Sequence, residues 1–444
     1  MNMLNNQVKE ITKTTGKHHF FGYYDICPWD INDEKILAHE VDFIDRMPTE
    51  EPAGIGYFTK NNEFIKLAET TSWNFQQGAR LQWLPNNPDV IIYNDYIDYN
   101  YDYIDEENGR ASSIENSDFG SIALNIKTNE KRFFDLPIYK IHPSGKFALS
   151  LPFPRLNDEG GYGYHGIIDR YKEIASPEKV GISRLNLEKK EESELIISIA
   201  KVVNFKKNEA INSSHHVTMA TFNPRGDRFA FLHRFKLPDG GIHTRLLTAN
   251  PDGTDLFLLA EGNLSHFDWF SDDEIFIWGR RKSVLTDLRK NNFFKFPLLK
   301  PLLNFVRKKE RGFLRHRIIG DQLLLLKDKK GYIGSIGVGS ITEDGHFTRY
   351  KNTDWILGDN YPDKDHFRDL FLFNLKTKKK ITLGNFYSLV EGVPSSWDLS
   401  GMRSDLHPRF SRDGTKVCFD SVHTGKKQVH VLDIHDILKE YGKN

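Results

Sequence analysis

Seven times along the chain, a turn containing Gly, Asn or Asp leads into a short apolar run that ends in polar residues. The runs are KILAHE (35–40), VIIYND (90–95), KFALSL (146–151), RFAFLH (228–233), EIFIWG (274–279), DWILGD (354–359) and KVCFDS (416–421). Two copies match along their whole length, HHVTMATFNPRGDRFAFLHR at 215–234 and DLHPRFSRDGTKVCFDS at 405–421. Copies recur roughly every 45 to 80 residues, within and somewhat above the period of propeller blades. A single repeat cannot bury its own apolar face, so the recurrence predicts packed blades.

In each copy the strand before the turn is the innermost strand, and the strand after it is its hairpin partner. Third strands follow at 54–59, 121–126, 181–187, 244–250, 369–375 and 428–434, and fourth strands at 63–69, 131–137, 194–200, 255–261 and 379–385. Four antiparallel strands make a blade, so the expected fold is all-β: a seven-bladed propeller of four-stranded antiparallel blades, one domain over 1–444. The seventh blade runs out of chain after its third strand, because HDILKEYGKN (435–444) reads as a short polar helix. The segment QVKEITKT (7–14) can supply the missing outer strand and remove an exposed sheet edge.

Blade five is irregular, with an insertion at about 281–330. Its core, FFKFPLLKPLLNFVRKKERGFLRHR (293–317), carries eight Lys/Arg against the single acid Glu310. That composition suits a basic amphipathic helix making a peripheral contact with a membrane surface or an acidic partner, but Pro297 and Pro301 break the helical register and favour an insertion folded over the propeller side, its Leu/Phe stripe packed and its charges solvated. Two more long connections, 96–118 and 155–180, are rich in Tyr, Asp and Gly, a composition that fits binding loops.

Composition narrows the function. The 444 residues carry 61 basic and 61 acidic side chains, so nothing in the overall charge points to nucleic acid. The two cysteines, Cys27 and Cys418, sit in no zinc spacing and read as core residues. The N-terminus has no apolar signal-peptide core, and no apolar run reaches the ~18 residues of a membrane span. These features lead to the expectation of a soluble, cytoplasmic chain.

A hairpin brings the start of its first strand and the end of its second to one edge. The innermost strand starts carry His18, His19, Gln76, Gln77, His215, His216, His266, His346 and His407. The second strands end in His39, Glu40, Asn94, Asp95, His233, Arg234, Arg280, Asp359, Asn360 and Asp420. Each residue singly is better explained by hydrogen bonds that tie blades together. As a set they predict a polar binding mouth on one face of the ring, because burying so many ionisable groups is costly. His, Asp and Gln could ligate a divalent metal, but no HxH or HxxxH pair occurs among these positions, so the sequence assigns no metal ligands.

The segments KHHFFGYYDICPWD (17–30), WNFQQGARLQWLP (73–85), FLHRF (231–235), GDNYPD (358–363) and DLHPRFSRDGTKVCFDSVHTGKKQVHVLD (405–433) together resemble the seven-bladed propeller polysaccharide lyases of the oligogalacturonate lyase and ulvan lyase type. The resemblance runs from about residue 17 to 434. It implies β-elimination on a uronic-acid-containing oligosaccharide or polysaccharide. A base removes the proton beside the carboxylate, an acid protonates the leaving oxygen, and a cation, amide or metal neutralises the carboxylate. Histidine suits the base and tyrosine the donor. On this resemblance the catalytic candidates are His215, His216, His233 and Tyr164. The substrate-binding candidates are Arg155, Tyr162, Arg234, Arg245, His19, Gln77, Asn94, Asn360 and His407.

Two departures stand out. Relatives often carry an Asn-His pair inside the innermost strand of blade four, where this chain has Thr218 and Met219. The lyases that attack external polymers are secreted, whereas a chain without a signal peptide suits short oligosaccharides or polysaccharide assembly. A non-catalytic glycan-binding or assembly protein is therefore the alternative reading.

Overall fold

The computed structural model describes residues 8–10, 16–96, 119–159, 162–189, 193–206, 213–237, 240–280, 320–351, 353–390 and 404–441. Its first strand, β1 (Val8–Glu10), belongs to the last blade. Blade one is β2 (His18–Phe20), β3 (Lys35–Val41), β4 (Ala53–Thr59) and β5 (Phe64–Thr70). Blade two is β6 (Gln82–Leu84), β7 (Asn87–Tyr96), β8 (Phe119–Asn125) and β9 (Lys131–Phe134). Blade three is β10 (Lys140–Ile141), β11 (Phe147–Ser150), β12 (Gly181–Asn186) and β13 (Ser193–Ser198). Blade four is β14 (His215–Phe222), β15 (Phe229–Lys236), β16 (Ile242–Ala249) and β17 (Phe257–Gly262). Blade five is β18 (Leu264–Trp269), β19 (Glu274–Arg280), β20 (Asp321–Lys327) and β21 (Gly331–Ile336). Blade six is β22 (Phe347–Arg349), β23 (Trp355–Asp359), β24 (Phe367–Asn374) and β25 (Lys380–Tyr387). Blade seven is β26 (Arg409–Phe410), β27 (Lys416–Ser421), β28 (Gln428–Asp433) and, closing the ring, β1. Every pairing is antiparallel, and Val8, Lys9 and Glu10 face Leu432, Val431 and His430. The expected propeller and its closure by both ends of the chain are present.

The recurring turn has a local cause. In the Asn-Pro-Arg-Gly-Asp turn of blade four, Asn223 Oδ1 accepts the Gly226 and Arg228 N–H groups at 2.8 and 3.1 Å. Gly226 holds φ +84, and a Cβ there would meet His142 Nε2 at 2.4 Å, so glycine alone fits. In blade seven Ser411 replaces the asparagine, donating to Asp413 Oδ1 at 2.6 Å and accepting the Lys416 N–H at 3.0 Å.

Alternation within each strand supplies two seams at once. Phe229 and Phe231 pack with Leu149, Ile182 and Ile197 of blade three, while Ala230 and Leu232 pack with Phe267 and Ile275 of blade five. The same division repeats around the ring, each apolar cluster lying between two neighbouring blades, the last joining Cys418 and Val429 to Phe21 and Ile36. A strand buried on both faces reads as a continuous apolar run, which is why RFAFLH lacks polar alternation.

Three helices are seen among the described residues: α1 (Phe153–Glu159), α2 (Ile199–Asn204) and the C-terminal α3 (His435–Tyr441). The strand expected over 194–200 stops at Ser198, whose side chain caps α2 by accepting the Lys201 N–H at 3.1 Å. Of the insertion expected at about 281–330, residues 281–319, including the basic 293–317 segment, lie outside the described residues. Residues 321–327 and 331–336 are the outer two strands of blade five.

Candidate active site at the channel mouth

The innermost strand of blade one ends at Phe20, and the chain then crosses the channel instead of turning at once. Tyr24 Oη donates to the Phe267 carbonyl of blade five at 2.9 Å and accepts the Phe267 N–H at 3.2 Å. Arg80 of blade two grips Asp25 with both guanidinium nitrogens, at 3.0 and 2.7 Å, and lies 3.8 Å from the centre of the Tyr139 ring. Lys140 bonds the Asp25 carbonyl, and Arg409 of blade seven bonds the Tyr24 carbonyl. Burial works to raise the Asp25 carboxyl, but Arg80 and Lys140 overcome it and hold the group below its ordinary value. Tyr23, Tyr24 and Asp25 thus form a fixed plug, and their aromatic rings make the floor of a site.

Three histidines from three blades stand on that floor. The His266 and His346 ring centroids are 4.5 Å apart, as are those of His346 and His407, and the Tyr23 ring lies 5.0 Å from His407. Each ring is anchored through Nδ1. That of His266 bonds Asp344 at 3.1 Å, that of His346 bonds both Asp359 oxygens at 3.0 Å, and that of His407 bonds the Gly22 carbonyl at 2.8 Å. An imidazole whose Nδ1–H is donated keeps its lone pair on Nε2. His407 Nε2 is buried without a hydrogen-bond partner, 3.9 Å from Asp405 Oδ2. His346, Asp405 and His407 each offer a ligand atom, all within 4.8 Å of one another. Burial keeps His407 well below the usual histidine range, the neighbouring His346 acting the same way and Asp405 only partly opposing, so this imidazole is neutral and able to ligate. A metal-bound histidine donates its other ring N–H in this way, and the group could hold a divalent transition metal.

The backbone is bent where these side chains are aimed. His407 has φ +46, Arg80 φ +54 and Met219 φ +57, left-handed values that are rare outside glycine. At Met219 the β14–β15 register slips between Thr218 and Thr221, and the side chain packs against Tyr23 and Tyr24. The departure noticed in the sequence, Thr218-Met219, therefore coincides with a bulge that aims Met219 at the site.

The candidates taken from the sequence separate into two groups. His216 and Arg234 face each other across β14 and β15, and the Arg234 charge acts on both His216 and His266. Neither ring nitrogen of the buried His216 has a hydrogen-bond partner, and burial reinforced by Arg234 and Arg155 brings its pKa down to about 3. Tyr162 is half-buried beside the plug, its ring 5.9 Å from that of Tyr23. Gln77 is buried next to the Tyr139 phenol.

The second group is committed to contacts between blades or within one. His215 Nδ1 and His233 Nε2 are 3.0 Å apart, and Arg245 donates to the Val202 and Phe205 carbonyls of α2 and its C-cap. Arg155 donates to the His215, Tyr171, Ile174 and Ala175 carbonyls and pairs with Asp169 at 3.1 Å. Tyr164 stacks on Phe153 and receives the Asn94 amide at 3.2 Å, while the rest of Asn94 bonds the Ile138 backbone. His19 bridges Gln428 and Glu40, and Asn360 bonds Glu343 and the Asp369 N–H. Asp405, Tyr23, Tyr361, whose ring lies 6.1 Å from that of His266, and Arg368, which pairs with Asp405, were not singled out from the sequence. The one available signal was Asp405-Leu-His407, whose spacing of two puts both side chains on one face of an extended segment.

No known family profile and no curated protein matches the chain. Among solved structures it is similar to an oligogalacturonate lyase in complex with manganese, with TM-score 0.58 and 13% identity over 96% of this chain and 92% of that one. It is also similar to the oligogalacturonate lyase of Vibrio parahaemolyticus, with TM-score 0.57 and 11% identity over 96% of this chain and 93% of that one. At such identities the likeness is one of fold. No described helix is long and apolar enough to cross a membrane.

Proposed function

We propose that the channel mouth takes an acidic oligosaccharide and performs β-elimination at a uronic acid residue, with a divalent metal held by His346, Asp405 and His407. The observation that carries this reading is the set of three adjoining imidazoles, each anchored through Nδ1, beside the Asp405 carboxylate. A metal bound there would supply Lewis-acid stabilisation of negative charge. The similarity in fold to oligogalacturonate lyases, one of them a manganese complex, supports the same substrate class.

The chain's own side chains divide the remaining roles. Neither ring nitrogen of the buried His216 has a hydrogen-bond partner, so this imidazole can take the proton beside the carboxylate. Arg234, opposite it across the strand pair, supplies the cation for that carboxylate. Burial raises the Tyr23 phenol well above its ordinary value, so it stays protonated, and with Tyr162 it forms the proton-donating side of the mouth. The test is a panel of uronide oligomers with and without Mn2+. The expected result is a metal-dependent rise in ultraviolet absorbance from the unsaturated product, and no rise across the panel would argue strongly against the reading.

A second reading, glycan binding or polysaccharide assembly without turnover, is favoured by one observation. His215, His233, Arg155 and Tyr164 are committed to contacts within the protein. It predicts oligosaccharide binding with no absorbance change, and membrane association that depends on the basic 293–317 segment.

A further inference from the structure

Asp405 and Arg368 are both about 1% exposed, and they reach each other from different blades. Arg368 lies on β24 of blade six, and Asp405 precedes β26 of blade seven. One guanidinium nitrogen, Nη2, forms an ion pair with Asp405 Oδ1. The other, Nη1, donates to the Asn360 carbonyl at 3.1 Å, immediately after Asp359, the residue that anchors His346. The second carboxylate oxygen, Oδ2, is the one that lies 3.9 Å from His407 Nε2. The two oxygens of Asp405 therefore have different neighbours, an arginine for one and the histidine group for the other.

We propose that Arg368 is a positioning residue for the metal group: its charge holds Oδ1 of the Asp405 carboxylate so that Oδ2 is presented beside His346 and His407. This rests on the metal reading given above. A guanidinium is a rigid planar cation, and its ion pair with Oδ1 draws that oxygen towards Arg368 and leaves Oδ2 turned to the histidine group. The same guanidinium also braces the 359–361 segment, so one side chain sets the orientation of a carboxylate ligand and of the segment behind a histidine ligand. Lys427, a second buried cation whose charge acts on Asp405, is an ammonium directed to the Phe75 carbonyl at 3.2 Å and cannot replace the fork.

The test is Mn2+ titration of the full chain, followed by electron paramagnetic resonance of the free ion and by calorimetry, for wild type, Arg368→Gln and Arg368→Lys. Wild type should bind one Mn2+. Arg368→Gln should bind it about 10- to 100-fold more weakly, the usual cost of losing an outer-shell partner. Arg368→Lys restores the charge without the planar fork and should recover only part of that loss, remaining several-fold weaker than wild type. If the pair merely ties two blades together, both variants would melt earlier and still bind Mn2+ within twofold of wild type, which overturns the proposal. Tighter binding by Arg368→Gln also overturns it, because Arg368 would then be competing with the cation for Asp405. Should Arg368→Gln fail to fold, Arg368→Lys decides by the same criterion. Absence of Mn2+ binding by wild type sinks the metal reading and this proposal together, whereas binding by wild type with unaltered variants sinks this proposal alone.

Discussion

At the scale of single residues, His216 carries the most weight. A buried imidazole with two unsatisfied nitrogens gives up solvation and gains no protein hydrogen bond in return. His216→Asn should therefore lower turnover of an acidic oligosaccharide by about 100-fold or more, the scale of a lost general base. Its melting temperature should stay within a few degrees of wild type, since no hydrogen bond is removed. Steady-state rates measured beside thermal melts check this, and undiminished turnover would assign the base elsewhere. His216 and Arg234 were legible because a hairpin fixes which residues end its strands. Their neighbours were not. His215 and His233 stand one position out of phase and point into the seam with blade three, and the sequence period does not say which of the two seams opens towards the mouth.

At the scale of elements, the segment after β2 does what no strand does. Tyr24 and Asp25 contact blades two, three, five and seven, so this crossing ties the ring through its centre. The Arg80–Asp25 pair is its main fastening, with Arg80 fully buried and Asp25 nearly so. Arg80→Met strips the buried carboxylate of both guanidinium hydrogen bonds and should cost about 3–5 kcal/mol. Urea denaturation measures this directly, and a loss under about 1 kcal/mol would mean that the plug is held mainly by its aromatic packing. The strands and their order were readable from the turns, because Asn223 and Ser411 organise their hairpins with local hydrogen bonds. The plug was not, because its partners lie as far as 385 positions away along the chain.

At the scale of the whole molecule, buried neutral histidines link stability to pH. Burial, as the largest cause, lowers His39 to about 4 and His216 and His430 to about 3. Each is depressed in the folded state, so between about pH 6.5 and the folded value the unfolded chain binds more protons, and stability falls as pH falls. Full protonation of the unfolded chain is worth on the order of 3 kcal/mol or more for each such group. Asp420, pushed up to about 8 by burial, works in the opposite direction over about pH 4 to 8, and three imidazoles outweigh one carboxyl. The melting temperature should therefore drop steadily from pH 7 to pH 4. A melting temperature that is flat or rises over this range would contradict the assignment of these rings as neutral.

The amino-acid order alone determined the ring: how many blades, which strand follows which, and that the two ends of the chain meet in the last blade. It could do so because turn chemistry and apolar runs act between residues near one another in sequence, and because a blade cannot bury its faces except against two neighbours. Only the tertiary structure decided which polar residues share a site. His266, His346, Asp405 and His407 come from three different stretches of chain, and their meeting depends on the curvature of the ring and on the plug that fills its centre. Arg155, Tyr164 and His233 have the same chemistry in the sequence, but the path of the chain spends it on the seams.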